Sequence, residues 1–558
     1  MSKHRLSPDS VPLPPAKRQH TLSHTSAPTR IELTFDNALY DELILCIFSH
    51  LSWLDLCAAQ ATSRNWARLA TDNGLWKAQF LQVFGSRLRG ARGFRTDGRE
   101  VKSLPSRART EENDKQEEYR DWKWMFRISS NWRTGRCAPA EVPLQHTHPL
   151  EHLDQTHVLI SGSMSILAPA FETISPEVIL QTESSPVFKL YCRSIHENTP
   201  IRITALALDQ STVTSEQMRL ACFVSTGEFS LFSISHINPS TSTRKLTYTP
   251  HRRTARVAPI THAVYHHPLL ITLSESFCLC IYDLSDDRIT LTQTLSSYTS
   301  FPPSSLVLST PTPATYKLIL TYGLPVYPSH WSVAVTELMI AGHRPSSSAT
   351  TLPSSSSYLI PNEPAPMSII STRTARALDV PQGWVDERKL QYMREQWGRK
   401  VARIADTQTD GKWVVLAPGN SFYGKSISAP ACPASDAVLS HTSSSLYSPT
   451  TLQLYRLSLP APSSVSSSPP KLTFVRSLNG QLGPISSLAL SDGRCVSYGL
   501  NGSIWVWDLE AGVGTEVACP QPGLTYDDIG TLQSRVAFDE RRIITTMGRH
   551  VVARTFDI

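Results

Sequence analysis

Residues 39–80 read LYDELILCIFSHLSWLDLCAAQATSRNWARLATDNGLWKAQF, and this stretch decides how the chain is organised. Leu43, Ile47 and Leu51 recur at i, i+4 and i+8, which is the spacing of one face of an α-helix. Apolar residues recur at helical spacing again after Ser52 and after Asp72. This predicts three or four short helices in all, the last ending at Gly85. A unit of about 45 residues buries too small a fraction of its surface to be stable alone, so we expect its surplus apolar face to bind a partner.

The stretch resembles an F-box. The family pattern begins with Leu-Pro-x-Glu-Leu, continues through Ile-Phe-x-x-Leu and Asp-Leu, and ends with a Trp-containing helix and a Leu-Trp pair. Two positions depart, because Tyr40 stands where Pro is usual and Ser63 where Cys is common. A plain helical bundle that packs on the rest of the chain is the alternative interpretation. The matching positions are Leu39, Glu42, Leu43, Ile47, Phe48, Leu51, Asp55, Leu56, Trp66, Leu69, Leu75 and Trp76.

The resemblance implies a domain at residues 35–85 that docks onto the S-phase-kinase-associated adaptor of a cullin-RING (SCF) ubiquitin ligase. In this interpretation the apolar face is the adaptor interface. The adaptor-binding residues are then Leu39, Glu42, Leu43, Ile44, Ile47, Phe48, Leu51, Leu54, Leu56, Trp66, Leu69 and Trp76.

Composition limits the classes of protein to which the chain can belong. Its 558 residues are 40% hydrophobic, yet they contain no apolar run long enough for a membrane span and no apolar leader at the N-terminus. A net charge of +6 is mild for this length, and we expect neither nucleic acid nor a membrane as a partner. The ten cysteines are scattered without a CxxC pair, which favours reduced thiols in a cytoplasmic or nuclear protein.

The flanks of the helical stretch differ in composition. Residues 1–34 are rich in proline, serine and basic residues and are predicted to be a disordered tail. Residues 86–144 begin as an arginine-rich connector and continue as a helix with aromatic residues at helical spacing. This helix runs into Asn-Trp-Arg-Thr-Gly-Arg-Cys at residues 131–137, which is similar to the segment that joins the F-box to the propeller in F-box proteins with WD repeats. The predicted packing residues of this linker are Tyr119, Trp122, Phe126 and Trp132, which we expect to make the joint stiff.

Short alternating strands replace helices over residues 145–558, and residues 484–510, PISSLALSDGRCVSYGLNGSIWVWDLE, show the pattern best. Three strands are separated by turn signals at Asp492-Gly493 and Asn501-Gly502. The unit resembles a WD-repeat blade, including the closing Trp507-Asp508 pair.

Weaker copies of this unit bring the count to about seven, which predicts a β-propeller with degenerate WD-like blades. The fold class is therefore multidomain, helical and then all-β, with disordered loops rich in Ser and Pro. A sandwich or a pair of smaller β domains is the alternative. A helical insertion is predicted at residues 384–401, either as a partner surface or as a cap on the propeller. The other copies lie at residues 156–167, 203–234, 260–284, 317–338, 400–457 and 534–558.

The sequence lacks the motifs of common catalytic, nucleotide and metal sites, so we predict a non-catalytic subunit without cofactor or metal. The histidines at 146, 148 and 152 and at 262, 266 and 267 have no metal-ligand spacing and are interpreted as exposed loop residues. The basic segment 251–256 is a candidate for binding an acidic degron through charge-assisted bonds, although a cationic loop of this kind is more often simply solvated.

Three functions follow from these observations. The first is the substrate-recognition subunit of an SCF ligase, in which the propeller binds the protein to be ubiquitinated. The second is a scaffold whose F-box mediates assembly without ubiquitin transfer. The third, an enzyme in its own right, would require an acid or base cluster at the mouth of the propeller channel.

Overall fold

The computed structural model describes seventeen stretches of the chain and, in the first of them, side chains as far as residue 84. The stretches are 38–90, 121–143, 155–182, 187–195, 199–211, 217–235, 238–250, 258–285, 288–312, 315–326, 329–342, 367–378, 383–419, 450–459, 469–520, 534–548 and 550–558. The N-terminal tail, most of the arginine-rich connector, most of the Ser/Pro-rich insertions and the basic segment 251–256 lie outside them.

The chain divides into two compact units, with the boundary between Leu75 and Trp76. The described residues of the first unit form three short helices, α1 (Asp41–Phe48), α2 (Trp53–Gln60) and α3 (Arg64–Ala70), and the start of α4 (Asn73–Gly90). Helix α4 does not end at Gly85 as predicted, because a single glycine costs a helix about 1 kcal/mol and does not by itself stop it. None of the helices that the structure describes has the length and apolar content that a membrane crossing needs.

Side-chain caps fix where the helices of the first unit begin. The Ser52 hydroxyl accepts a hydrogen bond from the backbone N–H of Asp55, and the Asp55 carboxylate reaches back to Ser52, which forms a capping box at α2. Ser63 accepts from the backbone N–H of Trp66 in the same way at α3. Inside the unit, Phe48 meets Trp66 edge to face with ring centroids 5.4 Å apart.

Seven antiparallel sheets of four strands each make up the β part of the second unit, which is a seven-bladed β-propeller. The predicted count of about seven is confirmed, and the sandwich alternative is wrong. Blade 1 is β2 (Thr156–Ser161), β3 (Met164–Pro169), β4 (Glu177–Gln181) and β5 (Phe188–Tyr191). Blade 2 is β6 (Ile203–Leu208), β7 (Gln217–Val224), β8 (Phe229–Ser235) and β9 (Thr243–Tyr248). Blade 3 is β10 (Ile260–His266), β11 (Leu269–Ser274), β12 (Cys278–Asp283) and β13 (Thr290–Ser296).

The remaining blades follow in chain order. Blade 4 has the longest strands, β14 (Phe301–Thr312), β15 (Thr315–Val326), β16 (His330–Ala341) and β17 (Ser368–Arg376). Blade 5 is β18 (Ile404–Thr409), β19 (Trp413–Pro418), β20 (Leu452–Ser458) and β21 (Lys471–Leu478). Blade 6 is β22 (Ile485–Ser491), β23 (Arg494–Gly499), β24 (Ile504–Asp508) and β25 (Val513–Ala518). Blade 7 combines β26 (Ser534–Phe538), β27 (Arg542–Met547) and β28 (His550–Thr555) with β1 (Ala138–Glu141).

Strand β1 closes the ring. It comes before the other strands in the chain, earlier than the predicted propeller start at residue 145, and pairs antiparallel with the last strand, with Ala138 opposite Thr555. The first strand of each blade contacts the first strands of both neighbours, including β2 against β26. The propeller is therefore closed by hydrogen bonds between the two ends of the described β region.

Apolar side chains between successive blades form the core. At the closure, Ile544 and Val551 of blade 7 pack with Val158, Leu167 and Ile179 of blade 1. Similar clusters join blades 1 and 2, 2 and 3, 3 and 4, 4 and 5, and 5 and 6. Each blade thus buries its faces against its neighbours, as a small sheet that cannot form a core alone must do.

Buried aspartates tie neighbouring blades together through backbone N–H groups. In blade 5, Asp410 accepts from the N–H of Gly493 in blade 6 at 3.0 Å, and Asp406 accepts from that of Leu488 at 2.7 Å. In blade 2, Asp209 accepts from the N–H of His267 in blade 3 at 3.0 Å. These carboxylates satisfy the hydrogen-bonding need that burial creates, and they fix the register between blades.

Candidate protein-binding surfaces

Helix α1 presents an apolar face to solvent as well as one to the interior. Leu43 and Ile47, one turn apart, are 50% and 44% exposed, whereas Ile44 and Phe48, on the adjoining face, are 0% and 2% exposed. Leu54 at the start of α2 is 59% exposed. A unit this small does not usually leave so many large aliphatic side chains in water, and exposed apolar groups of this kind mark protein contacts.

The structure divides the twelve predicted adaptor-binding residues into three groups. Glu42, Leu43, Ile47 and Leu54 are exposed, and Leu39, Leu51 and Trp66 are partly exposed. The other five are interior residues that support a surface rather than form one: Ile44, Phe48, Leu56, Leu69 and Trp76. Binding of the adaptor by the exposed and partly exposed residues stays a prediction.

Two exposed aromatic side chains beside this surface were not among the predicted binding residues. Tyr40, which precedes α1, is 79% exposed, and Trp53, the first residue of α2, is 37% exposed. Trp53 follows the capping residue Ser52 directly, and the capping signal in the sequence therefore marks its position. The sequence offers no sign of which way its ring points.

Helix α5 (Trp122–Thr134) supplies the linker of the second unit, and its aromatic residues contact both α4 and the propeller. On the α4 side, Phe126 meets Trp76 at 5.4 Å and Trp122 meets Phe80 at 5.5 Å between ring centroids. On the propeller side, Trp132 stacks on Phe556 at 3.8 Å. The predicted Tyr119 lies outside the described residues.

Polar contacts fix α5 against the end of the chain. The indole N–H of Trp132 donates to the backbone carbonyl of Glu540 at 2.9 Å. The side-chain amide of Asn131 donates to the backbone carbonyl of Phe556, also at 2.9 Å. Asp557 accepts from the Trp124 indole at 2.9 Å and pairs with Arg127 at 2.6 Å. Helix α5 is thereby joined to blade 7, whose outer strand β1 directly follows it.

The propeller has two unlike ends. Because neighbouring strands are antiparallel, the turns between first and second strands lie at one end, and the connections from a fourth strand to the next blade lie at the other. Helix α5 contacts Glu540, which lies in a turn of the first kind, and Arg494, which directly follows another such turn, so this is the α5 end. Helix α6 (Glu387–Gly398) lies in the connection from β17 to β18, so the opposite end is the α6 end.

The α6 end carries exposed aromatic residues. Trp384 before α6 is 85% exposed, and Tyr392 and Trp397 on the helix are 51% and 47% exposed. The helix is held to blade 5 by Arg399, whose guanidinium lies 4.3 Å from the ring centre of Phe474. The helix falls within the predicted insertion 384–401. Its role as a partner surface stays a prediction.

Histidines at the inner edges of the blades differ from the prediction. His262 and His266 lie in strand β10 and not in an exposed loop, because the apolar residues around them continue the strand. Burial, with the nearby Arg535, lowers the pKa of His262 to about 3. The histidines at 146, 148 and 152 lie outside the described residues. Within the described ranges, no three His, Cys, Asp or Glu side chains gather as metal ligands would.

Comparison with known proteins identifies the helical region and one relative. The family model described as F-box-like matches residues 41–82. A protein of Arthroderma otae named "Probable E3 ubiquitin ligase complex SCF subunit sconB" is 29% identical over 158 residues. That match covers 25% of this chain and 23% of the relative, so the chain spans about a quarter of the relative that it matches.

Solved β-propellers resemble the chain more loosely. The β-propeller domain of Cps50 (Swd1) from Myceliophteria thermophila is 11% identical, with a TM-score of 0.36, over 73% of this chain and 99% of that one. The WD40 propeller domain of Doa1 is 10% identical, with a TM-score of 0.34, over 72% of this chain and 93% of that one. These values are too low to support an argument, and the blade count rests on the sheet topology described above.

Proposed function

We propose that this chain, which is an F-box/propeller protein with an F-box-like domain ahead of a seven-bladed β-propeller, is a substrate-recognition subunit of an SCF ubiquitin ligase. In this role the first unit docks onto the S-phase-kinase-associated adaptor, and the propeller binds the protein to be ubiquitinated. The observation that carries the proposal is the exposed pair Leu43 and Ile47 on α1, inside a segment that the F-box-like model matches. The naming of one relative as an SCF subunit supports the same role.

The chain contributes proximity and no chemistry of its own. A substrate held on the propeller presents its lysines to the ubiquitin-loaded enzyme of the assembled ligase at a high effective concentration. The α6 end is the proposed substrate side, because α5 occupies part of the α5 end. The mechanism therefore depends on two separate binding surfaces and on no catalytic residue in this chain.

The interface is tested by adding charge to the exposed face of α1. The double variant Leu43→Asp, Ile47→Asp keeps the buried Ile44 and Phe48, so the unit retains its core, but two carboxylates now lie in an apolar contact. We expect capture of the adaptor, measured by co-purification after co-expression, to fall at least tenfold. The matched control Leu291→Asp, Leu295→Asp introduces the same change at two residues of β13 that are 47% and 39% exposed, and it should keep wild-type capture.

The same preparations separate the two functions that involve assembly. Wild-type protein in a reconstituted ligase should promote ubiquitin transfer to a co-purifying protein, and the α1 double variant should not. Wild-type capture of the adaptor without any transfer would favour the scaffold. Equal adaptor capture by the double variant and its control would overturn the docking proposal itself.

A further inference from the structure

Two buried cysteine side chains meet between blades 1 and 2. Cys192 directly follows β5, the outer strand of blade 1, and Cys222 lies in β7 of blade 2. The Cys192 thiol donates a hydrogen bond to the sulfur of Cys222, and the two Sγ atoms are 3.2 Å apart. Both residues are free cysteines, and they are only 3% and 1% exposed. They are 30 positions apart in the chain, so nothing in the sequence marks them as neighbours.

Backbone contacts hold each cysteine in its place. The N–H of Cys192 donates to the carbonyl of Pro176, in the same blade, at 2.8 Å. Cys222 pairs with Leu206 of β6 on one side and with Ser230 of β8 on the other. Both cysteine side chains belong to the apolar cluster that joins blades 1 and 2. The approach of the two sulfurs therefore follows from the packing of one blade on the next.

This contact is close to the geometry of a covalent bond between the two blades. A disulfide bond is about 2.05 Å long. Two sulfurs that are 3.2 Å apart therefore need to approach each other by only about 1 Å to form one. We propose that Cys192 and Cys222 form a disulfide bond when the protein is exposed to hydrogen peroxide, and that this bond links blade 1 to blade 2.

The oxidation takes two steps and uses one molecule of peroxide. In the first step one cysteine, as its thiolate, attacks a peroxide oxygen, the O–O bond breaks, and the cysteine becomes a sulfenic acid. The hydroxide that leaves takes up the proton of the thiol and becomes water. In the second step the other sulfur attacks the sulfenic sulfur, the S–S bond forms, and the S–O bond breaks with release of a second water. Two thiols thus lose two protons and two electrons, and the peroxide is reduced to two molecules of water.

Cys192 is the cysteine that reacts first with peroxide. Its neighbours Tyr191 and Arg193 are both exposed, so the chain at Cys192 runs along the surface and a local opening there uncovers its thiol. Cys222 lies instead in a strand that is paired on both sides. The hydrogen bond from Cys192, together with burial, raises the pKa of the Cys222 thiol. Because the thiolate is the reactive form, Cys222 is the poorer nucleophile toward peroxide and acts in the second step.

The bond lies at the α6 end, because second and fourth strands both run toward that end. It closes a loop of about 30 residues, which restricts the unfolded chain and therefore stabilises the folded propeller. This inference concerns the propeller alone and does not depend on the proposed role in ubiquitin transfer.

The test is a peptide map of the full-length protein after treatment with hydrogen peroxide or, separately, with dithiothreitol. Each sample is unfolded, its free thiols are blocked with N-ethylmaleimide, and it is digested with trypsin without a reductant. The peroxide sample should contain residues 190–193 linked to residues 220–244, with a mass two hydrogens below the sum of the two peptides. The dithiothreitol sample should contain both peptides blocked. If both stay blocked at a peroxide concentration that oxidises the exposed Cys519, the inference is overturned.

A second readout is the midpoint of thermal unfolding before and after peroxide. The midpoint of the wild type should rise by a few degrees after oxidation and return with dithiothreitol. Cys222→Ala should show no such rise. Cys495→Ala, which removes a buried cysteine of blade 6, is the matched control and should behave as the wild type does. An equal rise in Cys222→Ala and wild type would mean that peroxide acts elsewhere and would overturn the inference. If Cys222→Ala does not fold, Cys192→Ala replaces it, and the peptide map of the wild type decides the case without any variant.

Discussion

His157 and His262 behave as neutral residues at physiological pH, because burial and neighbouring positive groups lower the pKa of each to about 3. In the unfolded chain a histidine takes up its proton near pH 6.5. The stability that these neutral rings contribute is therefore complete above pH 6.5, and it is lost as the pH falls toward 3. The pKa of Asp406 is raised to about 6, so its effect on stability has the opposite sign. It stabilises the folded state in acid, because the folded state binds the proton of this carboxyl more readily than the unfolded chain does. The lowered pKa values of the two histidines therefore destabilise the folded state in acid, and the raised pKa values of Asp406 and Asp410 act in the opposite direction.

Replacing one of these histidines should make the loss of stability in acid smaller. Between pH 7 and pH 5 the shifted pKa of one histidine accounts for roughly 2 kcal/mol of the free energy of unfolding, at about 1.4 kcal/mol per pH unit below pH 6.5. His157→Gln should therefore lose about that much less than wild type over this range, in denaturant titrations followed by tryptophan fluorescence. The exposed His550→Gln is the control and should keep the wild-type dependence on pH. Identical pH dependence in His157→Gln and wild type would contradict the assignment.

Secondary-structure elements with strong local signals were predictable from the sequence. The Asp492-Gly493 pair, with φ of 50° and 65°, forms the turn between β22 and β23 that its residue types require. The fourth strands of the blades were not predicted, because strands such as β13, Thr-Leu-Thr-Gln-Thr-Leu-Ser, lie exposed at the outer edge and lack an apolar face. Strand β1 was not predicted because its partner lies more than 400 residues away, where Ala138 pairs with Thr555.

The candidate binding site on α1 was also only partly predictable from the sequence. Both the buried and the exposed faces of this helix are aliphatic, so periodicity located the helix but did not separate the interior residues Ile44 and Phe48 from the exposed Leu43 and Ile47. That separation depends on which neighbouring helices cover each face, and it required the structure.

Gly135 ends helix α5, and it matters both for its backbone conformation and for the close contact that it allows. Gly135 caps the helix with φ of +73°, and a Cβ at this position would lie 2.3 Å from the carbonyl oxygen of Glu516 in blade 6. Gly162, between β2 and β3, has φ of +56°, but a Cβ there would meet nothing within 4 Å. The pair therefore separates the cost of the backbone conformation from the cost of the contact.

Alanine at these two glycines should have unequal effects on the free energy of unfolding. Gly162→Ala should cost about 1–2 kcal/mol, which is the penalty for a left-handed conformation alone. Gly135→Ala should cost at least about 2 kcal/mol more, because α5 or the edge of blade 6 must move. Denaturant titration of both variants measures the difference. Equal costs would mean that α5 does not press on blade 6 as the structure has it.

At the scale of the whole molecule, closure of the ring depends on residues outside the predicted propeller. Strand β1 completes blade 7, and α5 before it contacts Phe556, Glu540 and Asp557 in the same blade. A ring held in this way joins the start of the propeller to its end, so stability should depend on whether both β1 and α5 are present.

Three truncations test this dependence in order. Residues 76–558 contain the whole second unit and should unfold at the same temperature as the propeller in the full-length protein. Residues 135–558 keep β1 but lose α5, including the stack of Trp132 on Phe556, and loss of that buried ring contact should lower the midpoint by several degrees. Residues 144–558 lose both, which exposes the edge of β28 and leaves blade 7 with three strands, so this fragment should have the lowest midpoint or aggregate. Scanning calorimetry orders the three. A midpoint for residues 144–558 equal to that of residues 76–558 would mean that the inter-blade apolar clusters alone hold the ring closed, and that β1 and α5 add nothing to its stability.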